Sequence, residues 1–151
     1  MPDRKSLIVG ATGSLGPAVV KSLNNKGEKV KLFVRDRDKA KKYFGTDSDY
    51  EIFEGDASNE RDILKAADDT DFLFYLLNVP YQHWEKEARA LLKTSLTAAE
   101  KTSNKFIFPG NVYVYGHPEN NPVYENHPHK AHTKKGNIRI EMERMIEEAG
   151  R

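Results

Sequence analysis

Glycines stand at positions 10, 13 and 16 of the stretch "GATGSLGPAVV", which follows the apolar run "SLIVG" and opens a helical pattern. This residue type at this spacing suits the capture of a pyrophosphate. Gly10 permits a tight turn, Gly13 lets bare backbone approach the phosphates, and Gly16 lets a helix pack close to a sheet. The helix N-terminus behind the loop offers free N–H groups and the positive end of its dipole. Pro17 is tolerated there because the first helical turn does not need its N–H. The spacing is G-x-x-G-x-x-G rather than G-x-G-x-x-G, so a glycine turn that only packs strand against helix stays open as the alternative.

A second set of residues lies about 20 positions further on, where an adenosine ribose would be read. There the chain has "FVRDRDKAKK". Arg35 closes the apolar run, and a guanidinium suits a 2′-phosphate through bidentate contact and stacking on adenine. Asp36 is able to accept from a ribose hydroxyl or to pair with Arg37, and the whole run also reads as a solvated face opening a helix. NADP is therefore favoured, with NAD as the alternative.

Histidines at 117, 127, 129 and 132 surround Glu125 in a segment rich in Gly and Pro. Their spacing fits no zinc signature, so a solvated loop is expected and no metal site is assigned. The count of 0 cysteines excludes disulfides, thiolate ligands and a cysteine nucleophile. Nothing resembles a Ser-His-Asp triad, a paired-carboxylate site or a kinase phosphate loop.

The elements that must position these groups alternate along the chain. Strands are expected at 6–10, 29–34, 50–56, 71–79 and 105–110. A helix is expected whose stripe includes Leu15, Val19, Val20 and Leu23 and which Gly27 ends; others are expected over 38–44, over 59–68 with Asn59 as N-cap, from about His83 to Thr102, and from roughly Lys135 to Ala149. The segment 116–132 reads as an irregular loop. Strands alternating with helices imply right-handed crossovers, hence an α/β fold: a Rossmann-type doubly wound parallel sheet of about five strands in the order 3-2-1-4-5. One domain spanning 1–151 is expected.

Composition narrows the rest. Lys+Arg 24 against Asp+Glu 23 gives no bulk attraction to nucleic acid or an anionic membrane. No stretch approaches the ~18 consecutive apolar residues of a membrane span, and a cytoplasmic protein is expected.

"GATGSLGPAVV", "FVRDRDKA", "FEGDASN" and "YVYG" together resemble the extended and atypical short-chain dehydrogenase/reductase superfamily, in the NAD-dependent epimerase/dehydratase branch. The resemblance implies that Gly10, Thr12, Gly13, Leu15 and Gly16, with Ser14 in the same loop, line the pyrophosphate. It implies that Arg35 meets the adenosine ribose, that Asp56 and Ala57 flank the adenine, and that Leu77, Asn78 and Val79 run beside the nicotinamide ribose. Such proteins place a Ser or Thr after the fifth strand and a Tyr-x-x-x-Lys pair on the next helix. Here Asn111 takes the first position, and "AHTKKGNIRIEMERM" contains no tyrosine. Asn111 and Lys135 are the remaining catalytic candidates, Lys135 also reading as an ordinary basic residue at a helix start.

The resemblance further implies a C-terminal substrate-binding region beyond these residues, an unidentified small-molecule substrate, and a homodimer through the fourth and fifth helices. Two functions follow: the NAD(P)-binding domain of an epimerase/dehydratase-like oxidoreductase, or an NADP(H)-binding redox sensor without turnover.

Overall fold

The central strand shows how the chain organises itself. In β1 (Lys5–Val9), Leu7 and Val9 point into one core and Ile8 into another, and all three are fully buried. A strand covered on both faces belongs in the middle of a parallel sheet. β1 pairs in parallel with β2 (Lys29–Val34) on one side and β4 (Phe72–Tyr75) on the other. β3 (Tyr50–Glu54) and β5 (Lys105–Ile107) complete the order β3-β2-β1-β4-β5, as expected. The computed structural model describes residues 3–45 and 50–150.

Helices α1 (Gly16–Asn25) and α2 (Arg37–Phe44) cover one face, where Val20 and Ala40 meet Ile8, Leu32 and Val34. Helices α3 (Glu60–Ala67), α4 (Arg89–Thr102) and α5 (Lys134–Ala149) cover the other, burying Ile63, Leu92, Ile138 and Met142 against Leu7, Val9 and Leu73. Side chains of Asp36, Asn59 and Thr133 cap α2, α3 and α5 by accepting backbone N–H groups at 2.8, 3.1 and 3.1 Å. No side chain caps α1. Among the described residues no helix is long and apolar enough to cross a membrane.

Several expected boundaries move, for identifiable reasons. Of the apolar run 71–79, only Phe72–Tyr75 is strand. Leu76 still donates to the Val9 carbonyl at 2.8 Å, after which the chain leaves the sheet. The Val79 carbonyl accepts from the Trp84 indole at 2.9 Å, and Pro80 follows with no N–H to give a ladder. The long helix expected from His83 starts instead as a 3-10 turn (Tyr81–His83) and a π-helical turn (Trp84–Ala88) before α4. That irregular entry turns Trp84 inward to 4% exposure. β5 stops at Ile107 because Pro109 interrupts the run to 110. β3 stops at Glu54, where Asp56 turns the chain by accepting the Ser58 N–H at 2.9 Å. Leu15, expected on the buried stripe of α1, is 50% exposed because it is the residue flanking the helix N-terminus.

Candidate functional site

The glycine loop joins the C-terminal end of β1 to α1, the place where open α/β sheets take ligands. Gly10 has φ +97, and a Cβ there would lie 2.7 Å from the Leu76 carbonyl carbon. A Cβ on Gly16 would lie 2.1 Å from the Ala11 carbonyl oxygen. Close packing thus accounts for two of the three glycines by itself. It does not account for what stands between them: Ala11 and Gly16 are buried, whereas Thr12, Gly13, Ser14 and Leu15 are all exposed. These four residues lead into the N-terminus of α1, which no side chain caps and where the positive end of the helix dipole lies.

At the end of β2, Arg35 is exposed. Asp36 neither pairs with Arg37 nor stands free, since its carboxylate is spent on the Lys39 N–H as the cap of α2. Asp56 lies on the same rim. Hydrogen bonds from Ser58 hold its carboxyl below the ordinary aspartate value, and the positive charge of Arg35 adds to that. The residues expected to read the two ends of an adenosine are therefore brought together. Ala57 is buried, and its carbonyl accepts the Thr94 hydroxyl at 2.7 Å.

Beyond the loop lies a cavity of about 290 Å³. Ser14 and Leu15 from the glycine loop and Leu77 and Asn78 from the segment after β4 form one side of it. Val79 lies outside this lining and packs toward the core. The opposite side is aromatic, formed by Tyr81, Trp84, Phe108 and Tyr113, with Arg139 from α5. Asn111 is on the rim, and its side-chain oxygen accepts the Tyr113 N–H at 3.1 Å, so it shapes the turn that presents Tyr113.

The tyrosine–lysine proximity missing from the α5 sequence is made across three separate elements. The hydroxyls of Tyr81 and Tyr113 are 3.2 Å apart, and the Lys135 ammonium sits 3.7 Å from the centroid of the Tyr81 ring. The hydrogen bond to Tyr81 raises the Tyr113 phenol above its ordinary value, with Lys135 and Arg139 pulling it back down. Tyr81 and Arg139 are cleft residues that sequence patterning did not single out. The local signals were a Pro-Tyr pair after the fourth apolar run and an arginine next to Ile138 in the last helix.

The histidines serve the loop itself. His127 is buried, accepts the Glu119 N–H at 3.2 Å, and meets Tyr115 edge-on, while His117 stacks on His132 with centroids 3.9 Å apart. Among the described residues no group of three or more His, Asp or Glu could hold a metal ion.

No curated protein sequence matches the chain. Solved structures share its fold at low identity. WbmH from Bordetella bronchiseptica, in complex with NAD+, is 18% identical with a TM-score of 0.82 over 97% of this chain and 52% of its own. The UDP-Glc/GlcNAc 4-epimerase of Campylobacter jejuni is 17% identical with a TM-score of 0.81 over 97% of this chain and 49% of its own. A short-chain dehydrogenase/reductase superfamily protein from Agrobacterium tumefaciens with bound NAD is 20% identical with a TM-score of 0.75, over 95% of this chain and 44% of its own. The chain thus spans about half the length of the structures it matches. A family model described as NAD(P)H-binding matches residues 10–150, nearly the whole sequence, and the chain belongs to that NAD(P)H-binding family.

Proposed function

We propose that this chain is the cofactor-holding part of an epimerase/dehydratase-like oxidoreductase that prefers NADP(H) to NAD(H). The observation that carries the reading is the uncapped N-terminus of α1 behind four exposed loop residues, beside a cavity of about 290 Å³. α2, α3 and α5 are each closed by a side-chain cap, whereas no side chain caps α1, whose N-terminus is open to an anion behind the exposed loop. In this reading Thr12, Gly13, Ser14 and Leu15 hold the pyrophosphate and Arg35 pairs with the 2′-phosphate. Asp56 borders the adenine, and Leu77 and Asn78 hold the nicotinamide end. The preference for the phosphorylated cofactor follows from Arg35 being exposed while the neighbouring acid, Asp36, is committed to the α2 cap.

The cofactor, when bound, supplies hydride chemistry at its nicotinamide. The residues of this chain supply orientation and a proton. Tyr113, whose hydroxyl lies 3.2 Å from that of Tyr81, is suited to donate to a carbonyl oxygen in the cavity. Tyr81 is placed to replenish that proton, and Lys135 stabilises the charge left on the phenol pair.

A second reading is a redox sensor that binds NADP(H) without turnover. The absence of a tyrosine from α5 favours it. Thermal-shift titration with NADPH, NADP, NADH and NAD, followed by a carbonyl-reduction assay on the same protein, separates the possibilities. Saturation at 100 times the dissociation constant should stabilise the fold by about 2.7 kcal/mol. Turnover lost in Tyr113→Phe supports the oxidoreductase. Tight binding with no turnover supports the sensor, and no shift with any nucleotide refutes both.

A further inference from the structure

We infer that the cavity is a carboxylate-binding site, in which Arg139 anchors the acid group of a small, flat substrate; this deepens the oxidoreductase reading and rests on it. The lining of the cavity contains one formally charged side chain, Arg139, and no Asp or Glu. The guanidinium is sandwiched by aromatic faces, 4.6 Å from the Phe108 centroid and 5.5 Å from that of Trp84. Its Nη2 donates to the Pro109 carbonyl at 3.0 Å, its Nη1 faces only the Met142 sulfur at 4.0 Å, and its Nε is buried with no partner. A guanidinium carries five N–H donors, so most of its donor capacity is uncommitted. No ion pair holds it among the described residues. The Glu143 carboxylate, one turn further along α5, instead lies 3.6 Å from His129 Nδ1.

Burial penalises this charge, and the electrostatic pull of Glu143 offsets that only in part. A half-buried cation with uncommitted donors beside a cavity is completed by an anion that brings two oxygens in one plane. Lys135, one turn earlier on the same helix, adds a second positive charge at the Tyr81 ring. The walls explain the remainder of the ligand. Tyr81, Trp84, Phe108 and Tyr113 offer ring faces and edges, which favour a planar or aromatic body over a sugar. Tyr113 lines the same cavity as Arg139, so a body anchored by its acid group lies within the same walls as that phenol.

The test uses the intrinsic fluorescence of Trp84, the single tryptophan of the chain. The 151-residue protein, saturated with NADP, is titrated with benzoate, its uncharged analogue benzamide, and inorganic phosphate. Benzoate should change Trp84 emission saturably, benzamide about tenfold or more weakly, and phosphate weakly or not at all. Arg139→Gln should lose the benzoate response at least tenfold while keeping the NADP thermal shift, and Arg139→Lys should fall between them. If Arg139→Gln fails to fold, the benzoate-to-benzamide ratio on the unaltered protein decides. Equal responses to benzoate and benzamide would overturn the inference, as would phosphate binding as tightly as benzoate, which marks a general anion site. Absence of any benzoate response in protein that binds NADP would overturn it while leaving the cofactor reading intact. A missing NADP shift would instead refute that reading.

Discussion

Arg35→Ala and Asp36→Ala should have separable effects, one on NADPH affinity and one on stability, although they alter adjacent residues. Arg35 is exposed and holds no ion pair among the described residues, so removing it should change stability by no more than about 0.5 kcal/mol. In the bound state it is assigned charge-assisted hydrogen bonds to the 2′-phosphate, worth about 1.5–3 kcal/mol, so NADPH should bind about 10- to 150-fold more weakly. NADH affinity should not change. Asp36 accepts the Lys39 N–H at 2.8 Å as the cap of α2. Its replacement should cost about 1 kcal/mol of stability, seen as a Tm lower by roughly 2–4 °C, with affinity for both nucleotides preserved. Fluorescence titration with NADPH and NADH, alongside thermal unfolding of each variant, measures all the quantities. The assignment fails if Arg35→Ala weakens both nucleotides alike, because the residue would then not be reading the phosphate. It also fails if Asp36→Ala weakens NADH with an unchanged Tm, because the carboxylate would then leave the cap for the ribose.

Gly16→Ala should give a protein that does not fold stably at 37 °C, since the new Cβ would stand 2.1 Å from backbone oxygen that cannot move aside; a normal thermal unfolding curve would contradict this. Ser103 ends α4 in the left-handed region at φ 58, and Ser103→Gly should stabilise the fold by about 0.5 kcal/mol in urea unfolding by relieving that conformation. Lys31, with its side chain 3% exposed, is held by Glu51, Asp69 and the Ala66 carbonyl, and Lys5 bridges the same two acids. Burial pushes the Glu51 and Asp69 carboxyls up, but hydrogen bonds from the two lysines outweigh it and hold them below their ordinary values. A depressed folded-state value contributes stability above the unfolded value near pH 4 that is lost as pH falls through the folded one. The loss should be on the order of 1 kcal/mol, because both acids are about half exposed, and Asp69→Asn should flatten that acid slope while lowering stability at pH 7.

The architecture was legible because its signals are local. β1 and β2 are short β-branched runs, and Asn59 announces α3 as its cap. The glycine loop was legible for the same reason, since a turn, a close approach and a helix start all fall within seven residues of sequence, Gly10 to Gly16. The far wall of the cavity was not. Tyr81, Trp84, Tyr113 and Arg139 come from three segments and touch only after the sheet has placed them together. An apolar run also does not reveal where it leaves a sheet: 71–79 reads as one buried strand, but its second half is a loop whose Val79 carbonyl accepts the Trp84 indole and which Pro80 follows. Several of the departures from regular periodicity fall together. The early end of β4, the π-helical turn before α4, the short β5 and the turn over Val112–Tyr115 all border the same cavity. An open parallel sheet offers a crevice at the C-terminal ends of its strands, and here elements that end early and side chains such as Trp84 and Tyr113 form its far wall. In this chain the element ends near Tyr75, Trp84 and Phe108 that departed from the pattern therefore mark the cavity wall.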